Sequence, residues 1–270
     1  MTDSLKHREA ESTLFGIRIA SCDVVSVEQV WELLCVSAGA EFDLCIIRCP
    51  SNRLELARAI ESIGGRLCDM LVTGRRAFDS VSSAVDKVDG SLTFTGARHE
   101  DIALVERLAH SAFVGFGGHW HQDSKLPAAL CDELYVRWAG DLVRAQSSSL
   151  TVTIAKRDGE AIGFLAMSRS TEGVWSVPLT AVSPVARGRG LLKRLIEAGA
   201  ASVSEQAILL DYETQITNLP AFRTITGMGF LPRSSRYTFH FWSSRCDSHQ
   251  LTNGFNLRTQ TADLSLTDNS

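Results

Sequence analysis

Between Leu179 and Ile196 the chain reads Leu-Thr-Ala-Val-Ser-Pro-Val-Ala-Arg-Gly-Arg-Gly-Leu-Leu-Lys-Arg-Leu-Ile, and this order of residue types leaves few folds open. An apolar strand runs into a turn marked by Pro184, then a loop with glycines at 188 and 190, then a helix that puts Leu191, Leu192, Leu195 and Ile196 on one face. The backbone N–H groups at such a helix start have no partner within the helix, and the helix dipole favours an anion beside them, most naturally a pyrophosphate. Arg187, Arg189, Lys193 and Arg194 add four cations within eight residues. The spacing is neither G-x-G-x-x-G nor G-x-x-x-x-G-K, so the dinucleotide and nucleoside-triphosphate loops lose support. A surface turn before a solvated basic helix face is the plain alternative.

Composition sets the limits around this motif. With 44% hydrophobic residues over 270, the chain is able to bury a sizeable core. Its net charge of −4 argues against a nucleic-acid polymer as partner, because phosphate backbones call for a basic surplus. No run approaches the ~18 apolar residues that cross a bilayer, and the charged first residues, Asp3 to Glu11, lack the apolar core of a signal peptide. A cytoplasmic protein without membrane contact is the expectation. Seven cysteines without a C-x-x-C pair read as reduced packing residues. Cys45 and Cys49 fall on one face of a strand, yet no His or further Cys completes a metal set, and no metal is expected.

Along the chain, strand-like and helix-like pieces alternate, which is an α/β pattern. Phe15–Val25 reads as a strand, Ser26–Ala38 as a helix, Phe42–Cys49 as a strand ended by Pro50, and a helix from Asn52 stops at Gly64-Gly65. A third strand follows over Leu67–Val72. The polar stretch 79–90 reads as a domain boundary. Beyond it come a short strand at Leu92, a helix with Ile102, Val105, Leu108 and Ala109 on one face, and the loop Gly115-Phe-Gly-Gly-His-Trp-His-Gln-Asp123. A helix then carries Leu130, Leu134, Tyr135, Trp138 and Leu142. Asp158-Gly159 closes a hairpin between Leu150–Ala155 and Ala161–Met167. Val174–Val182 reads as one strand, and after the glycine loop and its helix come a strand at Ala207–Tyr212, a helix at Leu219–Gly227 and a strand at Arg236–Trp242. The division expected is 1–90, 91–245 and a polar tail over 246–270.

Val182-Ser183-Pro184 followed by Arg187-Gly188-Arg189-Gly190-Leu191-Leu192 resembles the central motif of the GNAT acyl-CoA-dependent N-acyltransferases, with Leu192 where the family has a small residue. A second motif, Asn218-x-x-Ala221 leading to Gly229-Phe230, follows at the family's spacing. The resemblance implies a GNAT fold, a mixed and mostly antiparallel sheet with flanking helices, preceded by a truncated GNAT-like N-terminal α/β half. It further implies acetyl-CoA or another short acyl-CoA as co-substrate. Backbone groups from Arg187 through Gly188, Arg189, Gly190 and Leu191 to Leu192 would hold its pyrophosphate, and Ala181 and Val182 would pair with pantetheine. Thr214 and Asn218 would contact the cofactor. The family often has a Tyr seven residues after that Asn as acid for the leaving thiolate; here it is Ile225. Within the family the chain is most similar to the TDP-fucosamine acetyltransferase group, through Phe15-Gly16, His121-x-Asp123 with Leu134-Tyr135-x-x-Trp138, and Thr214-Gln215-x-x-Asn218.

Acyl transfer from a thioester to an amine needs an uncharged amine, a polarised carbonyl and a proton for the thiolate. The Val182 N–H supplies the dipole for the carbonyl. His119 and His121 are the base candidates, since imidazole titrates near neutrality, and Asp211 and Glu213 are alternatives. Tyr212 is placed either to replace the missing acid or simply to pack. Trp120, Tyr135, Trp138 and Trp175 could line an acceptor pocket, although Trp138 reads as core. Expected partners are a small-molecule amine, read as a dTDP-amino sugar, and a second copy of the chain as a homodimer. Acylation of another amine and a CoA-binding module without turnover stay open.

Overall fold

The computed structural model describes residues 5–38, 42–78, 92–171, 173–203 and 208–243. The boundary stretch 79–90, Cys246 and the tail 246–270 lie outside them. Among the described residues two compact units emerge, the first from those within 5–70, 117–131 and 236–243, the second from those within 71–116 and 132–235.

In the first unit β1 (Lys6–His7), α1 (Glu9–Phe15), β2 (Ile19–Asp23), α2 (Val27–Ala38), β3 (Leu44–Pro50) and α3 (Leu54–Ser62) follow one another. The strand expected to start at Phe15 begins only at Ile19. The residues before it form α1, a helix of seven residues too short to show apolar periodicity, closed by Gly16 in the left-handed region at φ 69°. α2 starts where Ser26 suggests. Gln29 Oε1 accepts from the N–H groups of Val25 and Ser26 at 2.8 and 3.2 Å, and Ser26 Oγ accepts from the Gln29 N–H at 3.4 Å, a reciprocal cap. β2 and β3 pair in parallel, as a helical crossover demands, and β3 pairs antiparallel with the last strand, opposing Ile46 to His240. The apolar faces of α2 and α3 bury Val30, Leu33, Leu56 and Ile60 against Cys22, Cys45, Cys49, Phe239 and Phe241. Those cysteines are free and buried, as packing residues.

β4 (Arg66–Phe78) passes from the first unit into the second, which continues with β5 (Leu92–Gly96), α4 (Ile102–Phe113), α5 (Ala128–Arg144), β6 (Leu150–Arg157) and β7 (Glu160–Thr171). Then come β8 (Val174–Ser176), β9 (Thr180–Val182), α6 (Leu191–Ser202), β10 (Ile208–Gln215), α7 (Leu219–Gly227) and β11 (Leu231–Trp242). Asp158 and Gly159 both take positive φ, 52° and 83°, and close the β6–β7 hairpin as their sequence requires. Within this unit the strand order is β4-β10-β8-β7-β6-β5, antiparallel throughout except for β10 with β8. α6 buries Leu191, Leu195 and Ile196 against Leu165, Met167, Trp175, Leu210 and Tyr212. Trp175, 1% exposed, is core rather than pocket lining, whereas Trp138, expected in the core, is 39% exposed.

The stretch 174–182 is not one strand. Val177-Pro178-Leu179 interrupts it, since Pro178 has no N–H for a ladder. β8 pairs with both β7 and β10, but β9 pairs with β7, and among the described residues its other edge has no ladder partner. That parting positions the site.

Candidate active site

β9 bonds to β7 through alternate residues. Ser183 N–H donates to the Ile162 carbonyl at 2.9 Å, and the Leu179 carbonyl accepts from Ala166 N–H at 2.9 Å. In an antiparallel ladder the intervening residues turn their N–H and C=O groups the other way, so Thr180 and Val182 face the edge that β10 has left. Ala181, paired with Phe164, is buried. One short turn further on, Gly188 and Gly190 adopt φ 74° and 71°, a backbone open to glycine at little cost. Gly190 is the residue capping α6 and has no side chain to occupy the first N–H groups of the helix. Leu191 is buried and Leu192 half-buried, holding the helix start onto the core.

The four cations near this loop are engaged differently. Lys193 lies 3.8 Å from Glu197, and Arg194 stacks over Phe94 at 5.3 Å. Arg189 is exposed. Arg187 donates to two main-chain carbonyls, those of Val182 and Ala112.

On β10, the last residue opposite β8 is Asp211, so Tyr212 is the first beyond the pairing. Its side chain enters the core beside Ile225 and Phe230, with the Phe230 ring 6.3 Å away. Burial raises the phenol above its ordinary 10.0, which keeps the proton on. Asp211 and Glu213 point to the opposite face, as alternation predicts. Neither is an idle carboxylate. Arg75 clasps Asp211 through two bonds of 2.6 Å and Arg233 adds a third at 2.8 Å; the Arg75 bonds hold its carboxyl below the ordinary 3.8. Thr73 Oγ1 donates to Glu213 at 3.2 Å. Thr214 is buried on the Tyr212 face. Asn218 caps α7, its Oδ1 accepting from the Ala221 N–H at 3.4 Å.

His119 and His121 belong to the first unit. His119 is buried, and its Nδ1 lies 2.8 Å from His240 Nε2. His240 Nδ1 donates to Asp123 Oδ2 at 2.8 Å, and Trp242 Nε1 donates to the same oxygen at 2.8 Å. With its Nδ1 proton given to Asp123, His240 offers Nε2 to the Nδ1 proton of His119. Burial, followed by the charge effects of His240, Arg48 and Arg8, keeps His119 well below 6.5 and therefore uncharged at neutral pH. Trp120 is buried, stacked on Phe15 at 5.3 Å. His121 is half-buried. Sequence reading did not single out His240 or Trp242. The signal was present, because a His in the alternation Phe239-His240-Phe241 must face away from the phenylalanines. Among the described residues no His, Cys, Asp and Glu side chains are grouped to hold a metal ion.

Residues 107–230 match the Acetyltransferase (GNAT) family. No curated relative matches the chain in sequence. Among solved structures it is similar to a tandem GNAT protein from the clavulanic acid biosynthesis pathway, at 15% identity over 86% of this chain and 79% of that one, with a TM-score of 0.56. It is also similar to a GCN5-related N-acetyltransferase from Sphaerobacter thermophilus, at 14% identity over 83% and 73% with a TM-score of 0.55. A functionally unknown conserved protein from Staphylococcus epidermidis aligns at 11% identity over 84% and 85%, with a TM-score of 0.57. At these identities the likeness concerns the fold.

Proposed function

We propose, from the match of residues 107–230 to the Acetyltransferase (GNAT) family, that the chain moves an acetyl or short acyl group from acyl-CoA to the amine of a dTDP-linked amino sugar, by direct attack of the amine on the thioester. Acyl-CoA-dependent N-acetyl transfer is the activity of that family, and acetyl-CoA is its donor. The parting of β9 from β10 beside the glycine loop carries the reading. It turns the Val182 N–H toward an edge that has no ladder partner among the described residues, as an amide-bearing arm of a cofactor would require, with the first N–H groups of α6, which Gly190 leaves without a side-chain cap, close along the chain for a pyrophosphate.

In this reading Arg187 to Leu192 hold the pyrophosphate by main chain, Ala181 and Val182 flank pantetheine and polarise the acyl carbonyl, and Thr214 and Asn218 contribute on the β10–α7 side. A fixed dipole aimed at the developing oxyanion is worth several kcal/mol in a dry site. Tyr212, the first residue of β10 past its pairing with β8 and a phenol that burial holds above 10.0, is in this reading the proton donor to the leaving thiolate, in place of the residue that Ile225 replaces. Of the two candidate bases, the half-buried His121 takes the amine's proton in this reading, since His119 is buried and its Nδ1 is spent on His240. The acceptor class rests on the resemblance of His121-x-Asp123, Leu134-Tyr135-x-x-Trp138 and Thr214-Gln215-x-x-Asn218. Support comes from the exposed ring of Trp138, which lies 6.4 Å from Tyr135 in the buried Tyr135–Phe113 stack and is of a kind that packs on a sugar or base. A truncated GNAT-like half over residues 1–90, a homodimer and a cytoplasmic location complete the reading. Among the described residues no helix is long and apolar enough to cross a membrane.

Calorimetric titration with acetyl-CoA tests the site. Gly190→Glu puts a side chain and a negative charge where the anion would sit, and acetyl-CoA binding is expected to be lost. Unchanged affinity would remove the assignment.

A further inference from the structure

Arg187 sits in a loop whose chemistry invites a phosphate, yet its guanidinium is turned to the protein. Nη2 donates to the Ala112 carbonyl at 3.0 Å and Nε to the Val182 carbonyl at 3.3 Å. Ala112 is the penultimate residue of α4, where carbonyls lack an intrahelical donor and the negative end of the helix dipole favours a cation. The Val182 carbonyl lies on the edge of β9 turned away from β7. One rigid, planar donor group therefore joins the end of a helix, the end of a strand and the entry of the glycine loop.

The turn between them is weakly held by its own backbone. Ala186 N–H donates to the Ser183 carbonyl at 2.9 Å, but Arg187 N–H reaches the Pro184 carbonyl only at 3.4 Å. The side-chain bond from Arg187 to Val182 spans the whole turn, residues 182–187, and ties its two ends together. Rotation of the Val182–Ser183 peptide would break both that bond and the Ser183 N–H bond to Ile162.

Resting on the acyl-CoA reading of this loop, we propose that Arg187 is a positioning residue: it fixes the path of Gly188–Gly190 and the orientation of the Val182 peptide against α4, while the exposed Arg189 supplies the positive charge that faces the phosphates. A positioning role and a charge role separate cleanly. A phosphate-facing cation is screened by salt and is replaceable in part by lysine, whereas a brace between two carbonyls is neither.

The test is calorimetric titration of CoA over a KCl series with wild type, Arg187→Lys, Arg187→Gln and Arg189→Gln. Both Arg187 variants are expected to weaken CoA by roughly tenfold, the scale of a lost bond from a charged donor, with the wild-type salt dependence retained and no rescue by lysine. Arg189→Gln is expected to flatten the salt dependence. Wild-type affinity in Arg187→Lys, a flattened salt dependence in Arg187→Gln, or wild-type behaviour of both variants would overturn the positioning role. Failure of the wild type to bind CoA would instead overturn the acyl-CoA reading, and the inference with it.

Discussion

His240 and Asp123, separated by 117 positions in sequence, meet through a 2.8 Å bond from Nδ1 to Oδ2 that sits within the first unit. It anchors a buried series in which His119 bonds to His240, and Trp242 shares the same carboxylate oxygen. Because His119 and Asp123 hold fewer protons when folded than when unfolded, the series makes stability depend on pH. Burial keeps His119 well below 6.5. At Asp123 burial pushes the carboxyl up, but the bonds from His240 and Trp242 outweigh it and leave it below 3.8.

Both groups act in the same direction. An unfolded His119 takes up a proton as pH falls through about 6.5 while the folded one does not, so its contribution is complete above that pH and declines below it. The fall is up to about 1.4 kcal/mol per pH unit for one proton. Asp123 adds a second loss only below about 3.8, as its depressed folded value is reached. Urea unfolding at pH 7.5, 6.5 and 5.5 should show the wild type losing stability across this window and His119→Gln losing less. Parallel profiles for the two would contradict the buried neutral imidazole.

At Gly190 the backbone stands at φ 71°, and a Cβ there would meet nothing within 4 Å. Gly190→Ala therefore introduces conformational strain without a clash. The left-handed region costs a non-glycine residue about 1 to 2 kcal/mol, and the loop is expected to lose acetyl-CoA affinity by roughly five- to thirtyfold. Gly227→Ala, at another uncrowded glycine but without positive φ, serves as control and should bind as wild type. Equal affinities for both variants would show that the loop backbone does not hold the ligand.

How much of this could be read beforehand depended on the range of the interactions. α7 was legible to the residue, since Asn218 caps it and Pro220 suits its first turn. The Asp158-Gly159 hairpin was equally legible, because its turn chemistry is local. Polar Glu213, Thr214 and Gln215 hid the last part of β10, which is strand because β4 pairs with it through Leu71 to Thr73. The split of 174–182 was signalled by Pro178, but which neighbour each half keeps is set by strands far away in sequence. His240 and Arg187 show the same limit. Their residue types advertise chemistry, and only the long-range partners Asp123 and Ala112 reveal where those groups are spent.

Tyr212→Phe removes one hydroxyl and keeps a ring packed beside Phe230 and Ile225. Thermal stability and acetyl-CoA affinity should be retained. If Tyr212 protonates the thiolate, kcat should fall by about 100-fold, the lower range for a general acid. Turnover at the wild-type rate would place the proton source elsewhere.

The central claim is acyl transfer to an amine, and thiol release measures it directly. Wild-type protein with acetyl-CoA should liberate CoA thiol in proportion to added dTDP-amino sugar, with an N-acetylated sugar as the product by mass spectrometry. Thiol release with a different amine would keep the acyltransferase and replace the acceptor. Binding of acetyl-CoA without thiol release for any amine in a panel of dTDP- and UDP-amino sugars, amino acids, aminoglycosides and peptide termini would contradict the account.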